Sequence, residues 1–335
     1  MTLPPTFPMP LKIAGVGRYV PERVVLSTEL DARLELREGW IEEKQGVHER
    51  RWVTDETASF MAAEAAREAV ADAGMELSDL DLILNASGTA EQAIPDGSTL
   101  IQRQLGLGES GISCMSLHAT CLSFLVAVDV TACLLATGRY RNVLIVSSEI
   151  SSVGLNWAHP ESSTLFGDAA AAAVVTRTPE GEASCVHACR LETYGVGAEH
   201  TQIPGGGTGR HPNLETTVPE DNLFHMNGPE VFKMAVKYAP AFLERLMPDF
   251  ATTLAELKVV VPHQASKLAL DAHTFFGMSE DLVARTLDRF GNCVAASIPL
   301  TLHETVRAGR IERGDKILLL GTGAGLSLGG VVLTY

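Results

Sequence analysis

Short apolar stretches alternate with longer amphipathic stretches along most of the chain. The short stretches are rich in β-branched residues and predict strands, whereas apolar positions three and four residues apart predict helices. Strands are predicted at residues 11–16, 80–86, 142–147, 171–176, 257–261, 316–320 and 329–333, and helices at 59–73, 122–137, 229–247, 266–276 and 298–308. Strands that alternate with helices indicate an α/β fold with buried sheets.

Two parts of this pattern are similar to each other. The helix at 59–73 leads through "MELSDLDLILNASG" into a strand, and the helix at 229–247 leads through "TLAELKVVVPHQAS" into another. A repeat about 170 residues apart suggests a duplicated α/β unit. Ordinary helix–strand alternation explains the same pattern without duplication, so both interpretations stay open on this observation alone.

Residues 194–227 differ from the rest because they are rich in Gly, Pro, His and Thr. A long irregular segment within a compact domain typically forms a lid or a wall of a binding site. Its "GGGTG" run lacks the Lys-Ser/Thr pair and the clear preceding strand of a phosphate-binding loop, so no nucleotide-binding loop is predicted.

Length, composition and charge narrow the class of protein. The 335 residues, 46% of them hydrophobic, suffice for one large domain or two ordinary ones. Acidic residues outnumber basic ones by 41 to 26, and the net charge of -15 argues against a nucleic-acid-binding surface. We therefore expect no nucleic-acid partner.

Location and redox state follow from three further features. Residues 1–10 contain four prolines and no basic-then-apolar signal pattern. The longest apolar stretch, residues 122–137, is interrupted by Asp129 and is shorter than the roughly 18 residues of a membrane span. The six cysteines, at positions 114, 121, 133, 185, 189 and 293, include no CxxC pair and no zinc-site spacing with histidine. We expect a cytoplasmic protein without a membrane span, a disulfide framework or a metal site.

Cys121 is the first candidate for chemistry. A strand-like run ends near His118, and a long apolar helix begins directly after the cysteine. The partial positive charge and free N–H groups of a helix N-terminus favour thiolate over thiol, which would make Cys121 a nucleophile. Free cysteines are also commonly just buried, so the bystander interpretation remains an alternative.

Two polar residues are candidate partners for this cysteine. His263 stands at the carboxyl end of an apolar run in "LKVVVPHQAS", and Asn292 follows Gly291 in "DRFGNCVAASIPL". Residues at such strand-to-helix junctions typically contact ligands in α/β folds. Cys121, His263 and Asn292 would form a nucleophile with two polar partners if they converge in space. The alternatives are a buried histidine bonded to backbone and an asparagine that caps a helix.

Several longer segments carry a more specific signal. They are "TCLSFLVAVDVTACLLATG", "TLFGDAAAAAVV", "NGPEVFKMAV", "VVPHQAS", "GNCVAASIPL" and "GTGAGLSLGG". In this order, and over about residues 11–335, the chain resembles β-ketoacyl-ACP synthase III of the thiolase superfamily. The resemblance implies a homodimer and a five-layered αβαβα fold of two duplicated halves. Residues 1–178 would carry the nucleophilic cysteine, and residues 179–335 the histidine and asparagine.

The resemblance also implies the chemistry. Cys121 would accept an acyl group, and His263 with Asn292 would assist decarboxylative condensation. Backbone N–H groups of Cys121 and Gly325 would bind the oxyanion. An acyl-CoA or acyl carrier protein would condense with malonyl-ACP or malonyl-CoA to a β-ketoacyl product, in fatty-acid or specialised-metabolite biosynthesis. Coenzyme A or phosphopantetheine thioesters are then substrates, and no metal or redox cofactor is needed.

Substrate-contacting candidates follow from the same resemblance. Trp40 matches an aromatic residue at the family's coenzyme A entry, whereas Lys44 replaces an arginine and Pro160 lies near the place of a second arginine. Lysine offers phosphate a point charge without the bidentate geometry of arginine, which predicts a weaker grip on coenzyme A. Phe232 and Ser266, the latter in place of an asparagine, complete this set.

Chain length and carrier docking give two further expectations. Ile94 occupies the place of a bulky family residue that reaches across the dimer into the acyl pocket. Its smaller side chain predicts an acyl group longer than acetyl. Lys233 and Lys237 are either a docking patch for an acidic carrier protein or simply an exposed helix face.

Two alternative functions remain. The acyl group could pass from Cys121 to an alcohol, amine or carrier thiol without condensation, or the chain could be an inactive partner subunit of another ketosynthase. Asn292 favours condensation, because plain transfer gains little from an enolate-stabilising pair. Retention of all three polar residues disfavours an inactive partner. His118 is either a second acid/base or a strand histidine bonded to backbone.

Overall fold

The computed structural model describes residues 8–335. Most of segment 1–10, on which the prediction about a signal pattern depends, lies outside the described residues. The strands are β1 (Lys12–Tyr19), β2 (Val24–Leu26), β3 (Glu49–Arg51), β4 (Leu82–Asn85), β5 (Ser113–Ser116), β6 (Asn142–Glu149), β7 (Ala169–Thr176), β8 (Cys185–Gly197), β9 (Thr201–Gln202), β10 (His225–Met226), β11 (Val259–Pro262), β12 (Lys316–Gly323) and β13 (Gly325–Thr334).

The helices connect these strands and cover the sheets that they form. They are α1 (Ser27–Arg33), α2 (Trp40–Gln45), α3 (Ala58–Asp72), α4 (Gly97–Gln104), α5 (Ser123–Ala136), α6 (Pro160–Ser163), α7 (Gly228–Leu246), α8 (Phe250–Thr253), α9 (Lys267–Asp271), α10 (Leu287–Phe290) and α11 (Ser297–Arg307). Within residues 8–335, no helix combines the length and the apolar character that crossing a membrane requires.

Two sheets organise the fold and share one topology. The first has the order β1-β7-β6-β4-β5, and the second has the order β11-β12-β13-β8. In the first, β4 and β6 are parallel, and β7 is antiparallel to both β6 and β1. In the second, β11 and β12 are parallel, and β13 is antiparallel to both β12 and β8. The same arrangement of four strands therefore occurs twice, as a duplicated unit requires. The division at residues 178 and 179 stays a prediction.

The alternation of side chains along the strands explains the layers. In the first sheet, Ile83 and Leu144 pack against α3 and α4, whereas Leu82 and Val143 point to the other face. There they meet α5 and α11, which lie between the two sheets. Because successive strand residues face opposite sides, one strand serves both an outer and a central layer.

The second sheet repeats this arrangement on the other side of the central helices. Ile317 and Leu319 pack into the central layer, whereas Leu318 and Leu320 face the outer side. The C-terminal end of α7 covers that outer side. The layers are therefore helix, sheet, helix, sheet and helix, and the predicted α/β class with five layers is confirmed.

Two expectations about elements need correction. β8 is a long strand that continues into the predicted loop 194–227, and this loop also contains β9 and β10. The sequence of β8, "CVHACRLETYGVG", lacks a clean apolar alternation because much of this edge strand is only half-buried. The predicted helix 266–276 is split into α9 and a 3₁₀ segment at Ala272–Phe276.

Candidate active site

The turn that carries Cys121 comprises residues 118–123, and we call it the nucleophile turn. Thr120 has φ = 50°, a left-handed conformation that costs a β-branched residue about 1–2 kcal/mol. The hydroxyl of Ser123 stabilises this backbone, because it accepts a hydrogen bond from the N–H of Ala119 (2.9 Å) and donates one to the carbonyl of Thr120 (2.7 Å). A 3₁₀ turn, Thr120–Leu122, then leads into α5. Cys121 is thus held at the N-terminal end of α5, facing a cavity.

The environment of the Cys121 sulfur does not favour thiolate. Burial and, to a smaller extent, the nearby Glu149 carboxylate together raise the pKa of the thiol to about 12. The backbone N–H groups of Cys121 and Ala324 act in the opposite direction, but they do not outweigh burial. The N–H groups at the helix terminus therefore lower the pKa of this thiol, as the sequence indicated, but burial leaves the net pKa raised.

The second N–H group at the sulfur comes from Ala324 and not from Gly325. The N–H of Ala324 is hydrogen-bonded to the Cys121 sulfur, whereas Gly325 begins β13 and does not line the cavity. Gly325 has φ = 142° and lies opposite Gly197 in the sheet. The expected oxyanion pair Cys121 and Gly325 is therefore corrected to Cys121 and Ala324.

His263 follows the carboxyl end of β11 and lines the same cavity. Its N–H donates to the carbonyl of Leu320 (2.8 Å), which continues the pairing of β11 with β12. The residue is only 5% exposed, and burial lowers the pKa of the imidazole to about 4. Because its pKa is about 4, the ring is neutral near pH 7. Its Nδ1 is buried without a hydrogen-bond partner among the described residues.

Asn292 begins a second turn, residues 292–297, which we call the amide turn. Gly291 has φ = 66°, and a Cβ at this position would lie 2.5 Å from the carbonyl oxygen of Leu165, so only glycine fits. The close approach lets the N–H of Asn292 donate to that carbonyl (2.9 Å). The side-chain Nδ2 donates to the carbonyl of Ala265 (3.2 Å), and Oδ1 accepts from the N–H of Val294 (2.9 Å). The amide is therefore fixed at the cavity wall in one orientation.

Glu149 joins the two turns and was not a sequence-based candidate. Its buried carboxylate accepts hydrogen bonds from the N–H groups of Gly88 (2.6 Å) and Thr89 (2.9 Å), and from the N–H of Ala295 in the amide turn. Burial raises the pKa of this carboxyl to about 8. The available signal was an acidic residue at the carboxyl end of an apolar strand, "NVLIVSSE".

Gly88, bound by Glu149, packs between the two turns. A Cβ on Gly88 would lie 2.8 Å from Cγ1 of Val294 and 3.3 Å from the carbonyl oxygen of Thr120. His118 also contacts Gly88, since its Nε2 lies 3.1 Å from the Gly88 carbonyl oxygen. His118 lines the cavity, and it is also bonded to backbone, as one of its two interpretations predicted.

One cavity of about 1940 Å³ brings the predicted residues together. Cys121, His263 and Asn292 line it, and so do four of the five substrate-contacting candidates, Trp40, Lys44, Phe232 and Ser266. The hydroxyl of Ser266 accepts from the N–H of Ala269 (3.2 Å) and caps α9, which leaves it less free to bind substrate.

Ile94 lies outside the cavity of its own chain. Its side chain is 87% exposed on the loop before α4. The proposed docking lysines are exposed on α7, where Lys233 lies 3.5 Å from the carboxylate of Glu230 and Lys237 donates to the hydroxyl of Tyr238 (3.1 Å). Both expectations about these residues stay predictions.

The charge of the cavity is predominantly negative. Among the described residues that line it, Lys44 is the only lysine or arginine, and its ammonium lies 3.7 Å from the carboxylate of Glu43. Three carboxylates line the same cavity, those of Glu56, Glu91 and Glu161. Within residues 8–335, no three His, Cys, Asp or Glu side chains are grouped as metal ligands.

Comparison with known proteins identifies the family. Residues 115–195 match the profile of 3-oxoacyl-[acyl-carrier-protein (ACP)] synthase III, and residues 249–335 match the profile of its C-terminal part. β-Ketoacyl-[acyl-carrier-protein] synthase III 1 of Bacillus cereus is 34% identical over 330 residues, which cover 98% of this chain and 99% of the relative. The chain belongs to the β-ketoacyl-ACP synthase III family. It is therefore an acyltransferase of the ketosynthase type, as the motifs predicted.

Solved structures agree with this synthase III assignment. The crystal structure of 3-oxoacyl-[acyl-carrier-protein] synthase III from Aquifex aeolicus superposes with a TM-score of 0.87 at 31% identity, covering 97% of this chain and 100% of the other. The priming β-ketosynthase of the R1128 polyketide pathway superposes with a TM-score of 0.86 at 28% identity, covering 99% and 98%. The predicted thiolase-like fold is confirmed.

Proposed function

We propose that this synthase III condenses an acyl thioester with a malonyl thioester through an acyl intermediate on Cys121. The observation that carries the proposal is the convergence of Cys121, His263 and Asn292 on one cavity. Two N–H groups at the sulfur and two fixed side-chain donors are what the two successive carbonyl reactions require.

In the first step, the Cys121 sulfur attacks the acyl carbonyl and the thioester bond to the carrier breaks. The N–H groups of Cys121 and Ala324 stabilise the negative oxygen of the tetrahedral intermediate. Because burial keeps the thiol protonated near pH 7, its proton leaves as the new C–S bond forms and ends on the departing carrier thiol. The product is a thioester of Cys121.

In the second step, a malonyl thioester loses CO₂ and its electrons move onto the thioester oxygen. Neutral His263, through Nε2–H, and the Nδ2 amide of Asn292 donate hydrogen bonds to this enolate. The enolate carbon attacks the acyl-Cys121 carbonyl, the C–S bond breaks, and the Cys121 thiolate takes up one proton from water. The balance requires neither electron transfer nor a metal, so we propose that no cofactor takes part.

The substrates and assembly belong to the same proposal. The acyl donor is an acyl-CoA or acyl carrier protein, and the extender is malonyl-ACP or malonyl-CoA. Since the lining offers phosphate only Lys44, a carrier protein is favoured over coenzyme A as the donor. The exposed Ile94 supports a homodimer in which this residue contacts the partner subunit, and a cytoplasmic location belongs to the same proposal.

The test is incubation with malonyl-ACP and a panel of acyl-CoA and acyl-ACP donors. We expect release of CO₂ together with a β-ketoacyl product. Acylation of Cys121 followed by transfer without CO₂ would overturn condensation and select plain acyl transfer. Iodoacetamide labelling with mass spectrometry tests whether the chain is an inactive partner subunit of another ketosynthase. A Cys121 that is never acylated or alkylated would identify such a subunit.

Plain acyl transfer is the second candidate because His118 lines the cavity near Cys121. Its Nε2 is hydrogen-bonded to the Gly88 carbonyl, which leaves Nδ1 as the ring nitrogen that can contact another group. An imidazole in this position could accept the proton of an alcohol or amine that attacks the acyl-Cys121 carbonyl. Adding such acceptors to the acylated protein without a malonyl thioester tests this candidate directly.

A further inference from the structure

The side chain of Gln264 is buried at 1% exposure and forms four hydrogen bonds to backbone groups. Its Nε2 donates to the carbonyls of Pro262 (2.9 Å) and Ala284 (3.2 Å). Its Oε1 accepts from the N–H groups of Thr286 (2.9 Å) and Leu287 (3.1 Å). A side-chain amide has two donors and two acceptor positions, so every hydrogen-bonding position of Gln264 is used. The partners also fix the orientation of the amide, because a carbonyl cannot donate and an N–H cannot accept.

These bonds join two segments of the second half of the chain. Residues 282–284 run beside β11, where the N–H of Val260 donates to the carbonyl of Leu282 (2.8 Å) and the N–H of Ala284 donates to the carbonyl of Val260 (2.9 Å). Past Val260, the amide of Gln264 continues the connection as far as the start of α10. We call the four hydrogen bonds of this amide the Gln264 clamp.

One end of the clamp holds the segment 262–265, on which both enolate donors depend. This segment carries His263, and the carbonyl of Ala265 accepts from Nδ2 of Asn292 (3.2 Å). Among the described residues, Nδ1 of His263 has no hydrogen-bond partner, so the place of the ring depends on the backbone that carries it. A shift of the segment would therefore move the imidazole and release the amide of Asn292.

The other end of the clamp reaches Asn292 through α10. Leu287 is the first residue of this short helix, and the N–H of Gly291, directly after the helix, donates to the carbonyl of Leu287 (2.9 Å). Asn292 follows Gly291 in the chain. The clamp thus fixes α10 relative to His263, and α10 fixes the point at which the amide turn begins.

The separation of the two donors matters because both must reach the same oxygen. Fixed donors stabilise an enolate only when each lies within hydrogen-bond distance of the charge that develops. A misplacement of about 1 Å at a reacting centre can slow a reaction about 10²-fold. The nucleophile turn is held by different groups, the hydroxyl of Ser123 and the close packing of Gly88. Movement at the clamp should therefore affect the two half-reactions unequally.

We propose that Gln264 is a positioning residue that sets the separation between the imidazole of His263 and the side-chain amide of Asn292 for decarboxylation of the malonyl thioester. The inference rests on the proposed function, because the enolate is the species that needs both donors together. Acylation of Cys121 uses its own N–H groups, so the clamp acts on CO₂ release and not on acylation. A glutamine that only stabilised the fold would affect both half-reactions alike.

Two variants of Gln264 and one matched control test this role. Gln264→Glu keeps the shape of the side chain and loses both donors when ionised, whereas Gln264→Met keeps its length and loses all four hydrogen bonds. Thr301→Val is the control, because Thr301 is also buried and its hydroxyl is bonded to that of Thr286 (2.8 Å), away from residues 262–265. All three variants should lower the thermal unfolding midpoint.

The two half-reactions are measured separately under single-turnover conditions. Both Gln264 variants should slow CO₂ release from malonyl-ACP by about ten- to hundredfold, while Cys121 acylation and the malonyl-ACP concentration for half-maximal rate change less than about threefold. Thr301→Val should change neither rate by more than about threefold. Burial favours the protonated form of a carboxyl, which can donate to one of the two carbonyls. CO₂ release by Gln264→Glu, relative to the wild type at the same pH, should therefore recover from pH 8 to pH 6, whereas Gln264→Met should show no recovery.

Three results would overturn the inference: acylation and CO₂ release that fall together in the Gln264 variants, CO₂ release as fast as in the wild type, or an equal loss in Thr301→Val. Crystal structures provide a readout that does not depend on the reaction. The distance from Nε2 of His263 to Nδ2 of Asn292 should differ by about 0.5 Å or more between the wild type and Gln264→Met. If the wild type acylates Cys121 but releases no CO₂, condensation fails, and this distance still decides the inference: a changed distance supports it and an unchanged one overturns it.

Discussion

The nucleophile turn and the amide turn have the same local structure in two different halves of the chain. Each contains a β-branched residue in the left-handed region, Thr120 with φ = 50° and Val294 with φ = 46°. Each continues through a 3₁₀ turn into a long helix that begins with serine. In each, the serine hydroxyl accepts from the N–H four residues earlier, at 2.9 Å for Ser123 and 3.0 Å for Ser297.

The chemistry of the two turns differs at two matched positions. Ala295 stands where the nucleophile turn has Cys121, and Asn292 stands where it has His118. The N–H of Ala295 donates to Glu149, whereas the N–H of Cys121 faces the sulfur in the cavity. One copy of the turn keeps its anion-binding N–H for a substrate, and the other gives it to a carboxylate of the protein. The same strained turn can therefore bind a substrate or stabilise the fold. Which of the two it does depends on the group that accepts a hydrogen bond from its N–H.

The largest expected effect is the loss of the nucleophile. Cys121→Ala should lower acyl-enzyme formation by at least about 10³-fold, because no other described thiol has the same N–H groups. The double variant Cys121→Ala/Ala295→Cys should restore nothing, since position 295 is buried and faces Glu149. Intact-protein mass spectrometry after incubation with an acyl thioester measures both. Acylation at position 295 would show that the two turns are chemically equivalent.

The second position should separate condensation from acylation. Asn292→Ala should lower CO₂ release by about 10²–10³-fold, because one of two enolate donors is lost, while Cys121 acylation changes little. His118→Ala, at the matched position, should change condensation less than about tenfold. Single-turnover assays of each half-reaction give both numbers. Equal losses in the two variants would contradict distinct roles for the two positions.

Replacing Glu149 should disturb both turns together. Glu149→Gln leaves one or more buried N–H groups without an acceptor and should destabilise the fold by about 1–3 kcal/mol. Removal of the carboxylate should also favour the Cys121 thiolate, so alkylation by iodoacetamide at pH 9 should be about three- to tenfold faster. Glu109→Gln, at an exposed glutamate, is the control.

The pH dependence of stability gives a second measurement on the same variant. The folded-state pKa of Glu149 is about 8, above the ordinary 4.5, so folding takes up a proton between these values. The wild type should therefore lose stability as pH rises through this window, and Glu149→Gln should lack that slope. Denaturant unfolding at pH 5, 7 and 9 measures it. Identical slopes in the two proteins would contradict the raised pKa.

The smallest effect concerns the serines that stabilise the turns. Ser123→Ala and Ser297→Ala each leave one buried N–H without its acceptor and should cost a similar stability, about 1–3 kcal/mol. Only Ser123→Ala should also slow acylation of Cys121, by several-fold. Thermal unfolding and the acylation assay compare the pair. Slower acylation in Ser297→Ala would show that strain in the amide turn is transmitted to the sulfur.

Much of the fold was predictable because the strands are buried and their apolar runs are bounded by helices. Cys121, His263 and Asn292 could be found for a related reason, since each polar residue interrupts an apolar pattern at the end of an element. The exchange of Gly325 for Ala324 could not be found in this way. Which N–H faces the sulfur depends on the backbone course between β12 and β13, and neighbouring peptides point in different directions.

Long-range contacts account for the other misses. Glu149 acquires its place only when Gly88 and Ala295, which are distant in sequence from it and from each other, meet its carboxylate. The pKa of Cys121 depends on how deeply the thiol is buried, and a helix pattern carries no information about that depth. The cavity beside α7 depends on which side chains of this helix are buried against the second sheet and which line the cavity.

The fully buried side chains of α7 all lie C-terminal to Pro240, and this has a consequence for evolution. Phe242, Leu243 and Leu246 hold the helix in place, so substitutions there must satisfy a packed core. N-terminal to Pro240 no side chain is buried: Tyr238 stacks on Tyr194 of β8, whereas Ala235 and Ala239 line the cavity. Substrate range can therefore change by single substitutions in one half of a helix, while the residues that secure folding in the other half stay the same.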